Sequence, residues 1–120
     1  KTPSGPPPIP RKISTLYFLS EAYIKNKEYK KALNKLLPYV IEHKDHRLII
    51  KISEAAYRLN ETSLGHEYKG DYLKMIGSLN SAAKFYRLAL KYNMKGRMID
   101  QRINSKLKSI DKIRESKDIL

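Results

Sequence analysis

"SEAYIKNKEY" fills residues 20–29, and "SEAAYRLNET" fills residues 53–62. Thirty-four residues separate Ala22, Tyr23 and Asn26 from Ala56, Tyr57 and Asn60, while Glu21 falls opposite Ala55. Three matches of type at one offset point to a small structural unit written more than once. What that unit is made of follows from the apolar spacing on either side.

Apolar residues recur at intervals of three and four, the signature of a helix with one buried face. Leu16, Leu19 and Tyr23 form one stripe; Tyr29, Ala32, Leu33, Leu36, Leu37 and Val40 form the next. Polar breaks at "KNKE" and "EHKDH" punctuate them. Further stripes run through Leu48, Ile52 and Leu59, through Leu64, Tyr68 and Tyr72, through Leu79, Ala82 and Tyr86, and through Ile99, Ile103, Leu107 and Ile110. Six helices are therefore predicted, over 13–26, 28–43, 46–60, 62–76, 79–93 and 97–117. No segment alternates apolar and polar residues long enough for a strand. Connections of a few residues force sequential helices to lie antiparallel. Pro38 falls inside the second helix, where it removes one backbone amide and should kink or fray it.

Two helices and two short turns in 34 residues is the period of the tetratricopeptide repeat. With Ile13 opening the first unit, Ala32 takes the tight slot where the helices of a hairpin cross, because only a small side chain permits close approach. A second unit is set from Arg47, with Ser53, Glu54 and Tyr57. A third is set from Ser63, with Gly70, Leu73, Ala82, Tyr86 and Ala89. It starts 16 residues after the second, so the fourth helix serves two hairpins. The expected fold is all-α: a short α-solenoid of about three degenerate tetratricopeptide-like hairpins, six helices in all, with a C-terminal capping helix. Residues 13–120 form this domain. Residues 1–12 read as a Pro-rich linker, since five prolines in the first ten residues favour extended backbone. Position 1 is not Met, so the chain is expected to start inside a longer protein.

Composition narrows the function classes. There is no cysteine, which excludes disulfides and thiolate chemistry. The formal net charge is +13, carried by 18 Lys and only 7 Arg. Arg is the residue that grips phosphate bidentately, so an excess of scattered Lys reads as solvated helix surface rather than a nucleic-acid site. An anionic membrane surface is the weaker alternative for the basic last helix, whose apolar stripe lacks Trp and Phe. His43 and His46 have metal-ligand spacing on a helix but no further ligands nearby, and no H-E-x-x-H is present. No Gly-rich phosphate loop or nucleophile motif occurs, so no catalysis and no cofactor are expected in this chain. Its nine tyrosines, with Tyr23, Tyr57, Tyr72 and Tyr86 on the stripes, read as structural. What remains is a concave face on the first helix of each pair. The repeat register assigns it Tyr17, Glu21, Ile24, Lys51, Ala55, Arg58, Asp71 and Lys74, a mixed surface suited to a protein partner.

From His66 onward the sequence resembles the C-terminal tetratricopeptide region of bacterial periplasmic zinc metalloproteases of the β-barrel assembly-enhancing type. The features are His66, Asp71–Tyr72, Gly77, Ala82, "LAL" at 88–90 and "QRINSKL" at 101–107. Upstream, "ALNKLLPYV" at 32–40 is similar to a helix of that family, Pro38 included. The resemblance implies a periplasmic protein whose zinc and protease domain lie upstream of this chain. It implies that these repeats hold substrate or outer-membrane assembly partners, or pack on the protease domain. A stand-alone adaptor and a basic helical domain for nucleic acid or anionic membrane are the alternatives.

Overall fold

A computed structural model describes residues 8–119, with burial described for residues 8–116. Residues 1–7 of the expected linker lie outside the described residues. Six helices follow: α1 Arg11–Lys25, α2 Tyr29–Glu42, α3 His46–Arg58, α4 Thr62–Met75, α5 Leu79–Tyr92 and α6 Arg97–Ile119. The fold is all-α, built of helical hairpins, with no strand among the described residues. α1 opens at Arg11, just after Pro10 and two residues ahead of the expected helix start. Pro38 lies exposed inside α2, and the helix runs through it to Glu42.

The main contacts follow chain order: each helix packs on the next, and α1 also packs on α3. The result is a slab of 42 × 38 × 20 Å. Its radius of gyration is 15.8 Å, against roughly 14 Å for a compact chain of this length. One core cluster joins α1, α2 and α3 around Leu16, Leu36, Leu48 and Ile52. A second joins α5 and α6 around Ala82, Tyr86, Ile103 and Ile110. Between them α4 is thin: its buried residues are Gly65, Glu67 and Gly70.

Three turns share one geometry. Lys27, Asn60 and Gly77 adopt positive φ, at 60°, 61° and 87°. In each turn the following amide donates back to a carbonyl five residues earlier: Glu28 to Tyr23, Glu61 to Ala56, and Ser78 to Leu73. This reversed-loop closure ends α1, α3 and α4 alike. It also corrects the register. The turns superpose at 33 residues, then 17, not at 34 and 16. The second unit therefore begins at His46 rather than Arg47, and the shared "SEA" at 20–22 and 53–55 is the true correspondence.

With that correction the small residues fall into line. Ser20, Ser53 and Gly70 occupy one slot of the successive units, and Ala32, Gly65 and Ala82 occupy the other. All six are buried. Small residues at these slots let adjacent helices approach closely, with the Tyr57 ring against Gly65 and the Tyr86 ring against Gly70. The Ser20 hydroxyl is satisfied by the Tyr17 carbonyl at 2.8 Å, and that of Ser53 by the Gly65 carbonyl at 2.8 Å.

Candidate protein-binding surfaces

The eight residues assigned to one concave face do not form one surface. Tyr17 and Glu21 on α1 meet Lys51 on α3. The Lys51 ammonium lies 3.4 Å from Glu21, 3.5 Å from Glu54 and 5.0 Å from the centre of the Tyr17 ring. Burial pushes the Lys51 pKa down, but the carboxylates and Tyr17 outweigh it and the net shift is upward. Glu21 is lowered, chiefly by a hydrogen bond from the Tyr17 hydroxyl and then by Lys51. Ile24 is half-buried nearby and packs on the first core cluster. Arg58 is exposed.

Ala55 is a correction. It is fully buried in the first core cluster and offers nothing to a partner. The slip of one residue explains this, because one residue on a helix turns the side chain by about 100°. In the observed register Glu54, not Ala55, is the counterpart of Glu21, and it shares Lys51 with it.

Asp71 and Lys74 face elsewhere, toward α6. Asp71 accepts from Lys106 at 2.9 Å and from the Tyr86 hydroxyl at 2.5 Å. Lys74 donates to the Ser109 hydroxyl at 2.7 Å. One turn earlier on α4, Glu67 is 1% exposed and accepts from Nε and Nη2 of Arg102, at 2.8 and 2.6 Å, plus Lys106 at 2.6 Å. Burial pushes the Glu67 carboxyl up, but the two cations outweigh it and hold it below the ordinary carboxylate range. The Tyr86 phenol, buried and beside Asp71, is pushed far up and stays protonated. This seam is absent from the sequence reading. Its signal is a pair of matching spacings: Glu67 and Asp71 four apart on one helix, Arg102 and Lys106 four apart on another.

Beside the seam runs an open groove of about 410 Å³. Its walls come chiefly from α2, α4 and α6, with Ile49 of α3 and Tyr86 of α5 completing the lining; Val40, Ile41, Met75 and Ile113 are among the apolar residues and Lys44 and Lys74 among the charged ones. On another part of the molecule the His66 ring bonds the Tyr57 hydroxyl at 2.6 Å and packs on Phe85 and Tyr92. Tyr57, expected on a buried stripe, lies at the exposed rim instead. His43 ends α2 and stacks on Tyr39, whereas His46 opens α3 near Tyr72, so the two belong to different packing environments. Among the described residues, no three or more His, Asp or Glu side chains converge as a metal site. None of the described helices is long and apolar enough to cross a membrane.

No protein-family model, curated protein or solved structure matches this chain. The residues quoted for the metalloprotease resemblance do structural work here: His66 meets Tyr57, Asp71 meets Tyr86 and Lys106, Gly77 forms the αL turn, and Ala82 fills a tight slot.

Proposed function

We propose that this chain is a non-catalytic module that binds a protein partner through the faces of its helical stack. The observation that carries the reading is packing in chain order: each hairpin buries itself on the next and leaves side faces open. One face presents Tyr17, Glu21 and Lys51, and another is the groove between α2, α4 and α6. Tyr17 and Met75 are of the residue types enriched at protein interfaces, and the charged groups beside them suit a polar rim.

The parent protein is part of the same proposal. The order of His66, Asp71–Tyr72, Gly77, Ala82 and "QRINSKL" supports a periplasmic zinc metalloprotease with its catalytic domain upstream, for which these repeats hold substrate or cover the cleft. Sequencing the gene upstream tests this: an open reading frame without H-E-x-x-H leaves a stand-alone adaptor. The binding reading has its own test. A photo-crosslinking residue is placed at Tyr17 and, separately, at Met75, in cells expressing the full protein. Discrete protein adducts from at least one position are expected. Adducts with nucleic acid or lipid alone, with affinity for short DNA, RNA or anionic vesicles falling steeply with salt, would replace it with the polyanion reading.

A further inference from the structure

We infer that the groove between α2, α4 and α6 is a docking site for an acidic amphipathic helix of a partner protein. The inference rests on the protein-binding reading above and specifies its partner. The groove has an apolar floor, with Val40 and Ile49 buried beneath it. At its mouth Ile41 is 71% exposed and Met75 44% exposed. A single exposed apolar side chain is ordinary on a soluble protein. Two bordering one concave recess form the receiving half of a helix-in-groove contact, in which an incoming helix lays down anchors spaced three and four apart.

Charge selects the sign of that helix. Arg102 and Lys106 line the groove, but Glu67 and Asp71 already balance them. Lys44 and Lys74 line it too, and neither is in an ion pair among the described residues; Lys74 is held by the Ser109 hydroxyl. The unbalanced charge of the groove is therefore positive, within a chain of net charge +13. Carboxylates flanking the apolar stripe of an incoming helix meet those lysines, whereas a basic helix meets like charge. Nucleic acid fits less well, because the charge of the one guanidinium in the wall is already balanced by Glu67, which leaves two lysines and no unpaired arginine to meet phosphate. A lipid surface fits less well too, because the apolar residues lie in a concavity and not on a projecting amphipathic face.

The test uses the full chain and three fluorescein-labelled helical peptides of about 14 residues. One carries leucines at helical spacing flanked by glutamates. The second keeps the leucines and replaces every glutamate by lysine. The third has the composition of the first in scrambled order. Fluorescence anisotropy should show binding of the acidic amphipathic peptide only. Ile41→Glu, Met75→Glu and the pair Lys44→Glu with Lys74→Glu should each weaken it by about tenfold or more. Met98→Glu, at an exposed position outside the groove, should leave it unchanged, and unchanged thermal melting shows that each variant is folded. No binding of the acidic peptide, equal binding of its scrambled form, or indifference to the groove substitutions overturns the inference. If protein crosslinks at Tyr17 persist after such a result, only the groove assignment falls. Absence of protein crosslinks from both positions removes the binding reading as well.

Discussion

Gly65 and Gly70 are the residues on which the spacing of the stack depends, and their environments differ in a way that can be measured. A methyl group at Gly70 would stand 2.7 Å from the Tyr86 ring, and at Gly65 2.5 Å from the Tyr57 ring. The distances are similar, but the freedom of the two rings is not. Tyr86 is wholly buried, and its hydroxyl is fixed on Asp71, so it has nowhere to move. Tyr57 lies at the exposed rim and can swing outward once its bond to His66 is released. Each substitution also gains about 1 kcal/mol of helix propensity. Gly70→Ala should therefore destabilise the fold by about 2 kcal/mol, net of that gain. Gly65→Ala should fall within about 0.5 kcal/mol of neutral. Urea unfolding of both variants reads the difference directly. The repeat pattern placed Gly70 in the third unit, but it did not show which ring opposes either glycine, because that depends on a register set by the turns.

At the scale of elements, the helices were written plainly in the chain and their mutual orientation was not. All six begin and end within two residues of the expected positions, since apolar spacing and polar breaks are local signals. The register of the second hairpin slipped by one because Tyr23–Tyr57 and Asn26–Asn60 outweighed the "SEA" match. The tyrosines of that pair are not equivalent: Tyr23 carries the carbonyl that closes its turn, where the second turn uses Ala56. The α4–α6 seam was invisible for another reason. Its partners are about 35 residues apart, and an acid pair and a base pair signify nothing until the two helices are known to be neighbours. Glu67→Gln should cost about 2 kcal/mol, less than a fully buried pair because Arg102 remains half in water. The seam also sets an acid limit. A carboxyl held lower in the folded chain than its ordinary 4.5 adds its full stability above that value and loses it as pH falls through the folded value. Melting temperature followed downward from pH 5 should drop more steeply for the parent than for Glu67→Gln. Parallel curves would mean that other carboxylates govern the acid transition.

For the whole molecule, packing in series has a consequence that a closed bundle would not share. In a stack, a helix with neighbours on both sides opens only when the chain unfolds, while a terminal helix can detach with the loss of one interface. Here α4 lies between α3 and α5, and its two glycines bring both neighbours close. At the ends, α1 rests on α2 and α3, and α6 is attached by its apolar stripe on α5 and by the ion pairs to α4. Native-state hydrogen exchange should therefore show a gradient. Amides of α3, α4 and α5 should exchange at the global unfolding free energy, and those of α6 at least about 1 kcal/mol below it. Glu67→Gln should sharpen the contrast by lowering protection in α6 more than in α1, because the seam touches one end of the stack only. The same detachment removes one wall of the groove, so a bound acidic helix should slow exchange in α6 more than anywhere else, since a ligand protects the elements it needs closed. Uniform protection from α1 to α6, in the free and the bound chain alike, would show a single cooperative unit and contradict the serial packing from which both surfaces were argued.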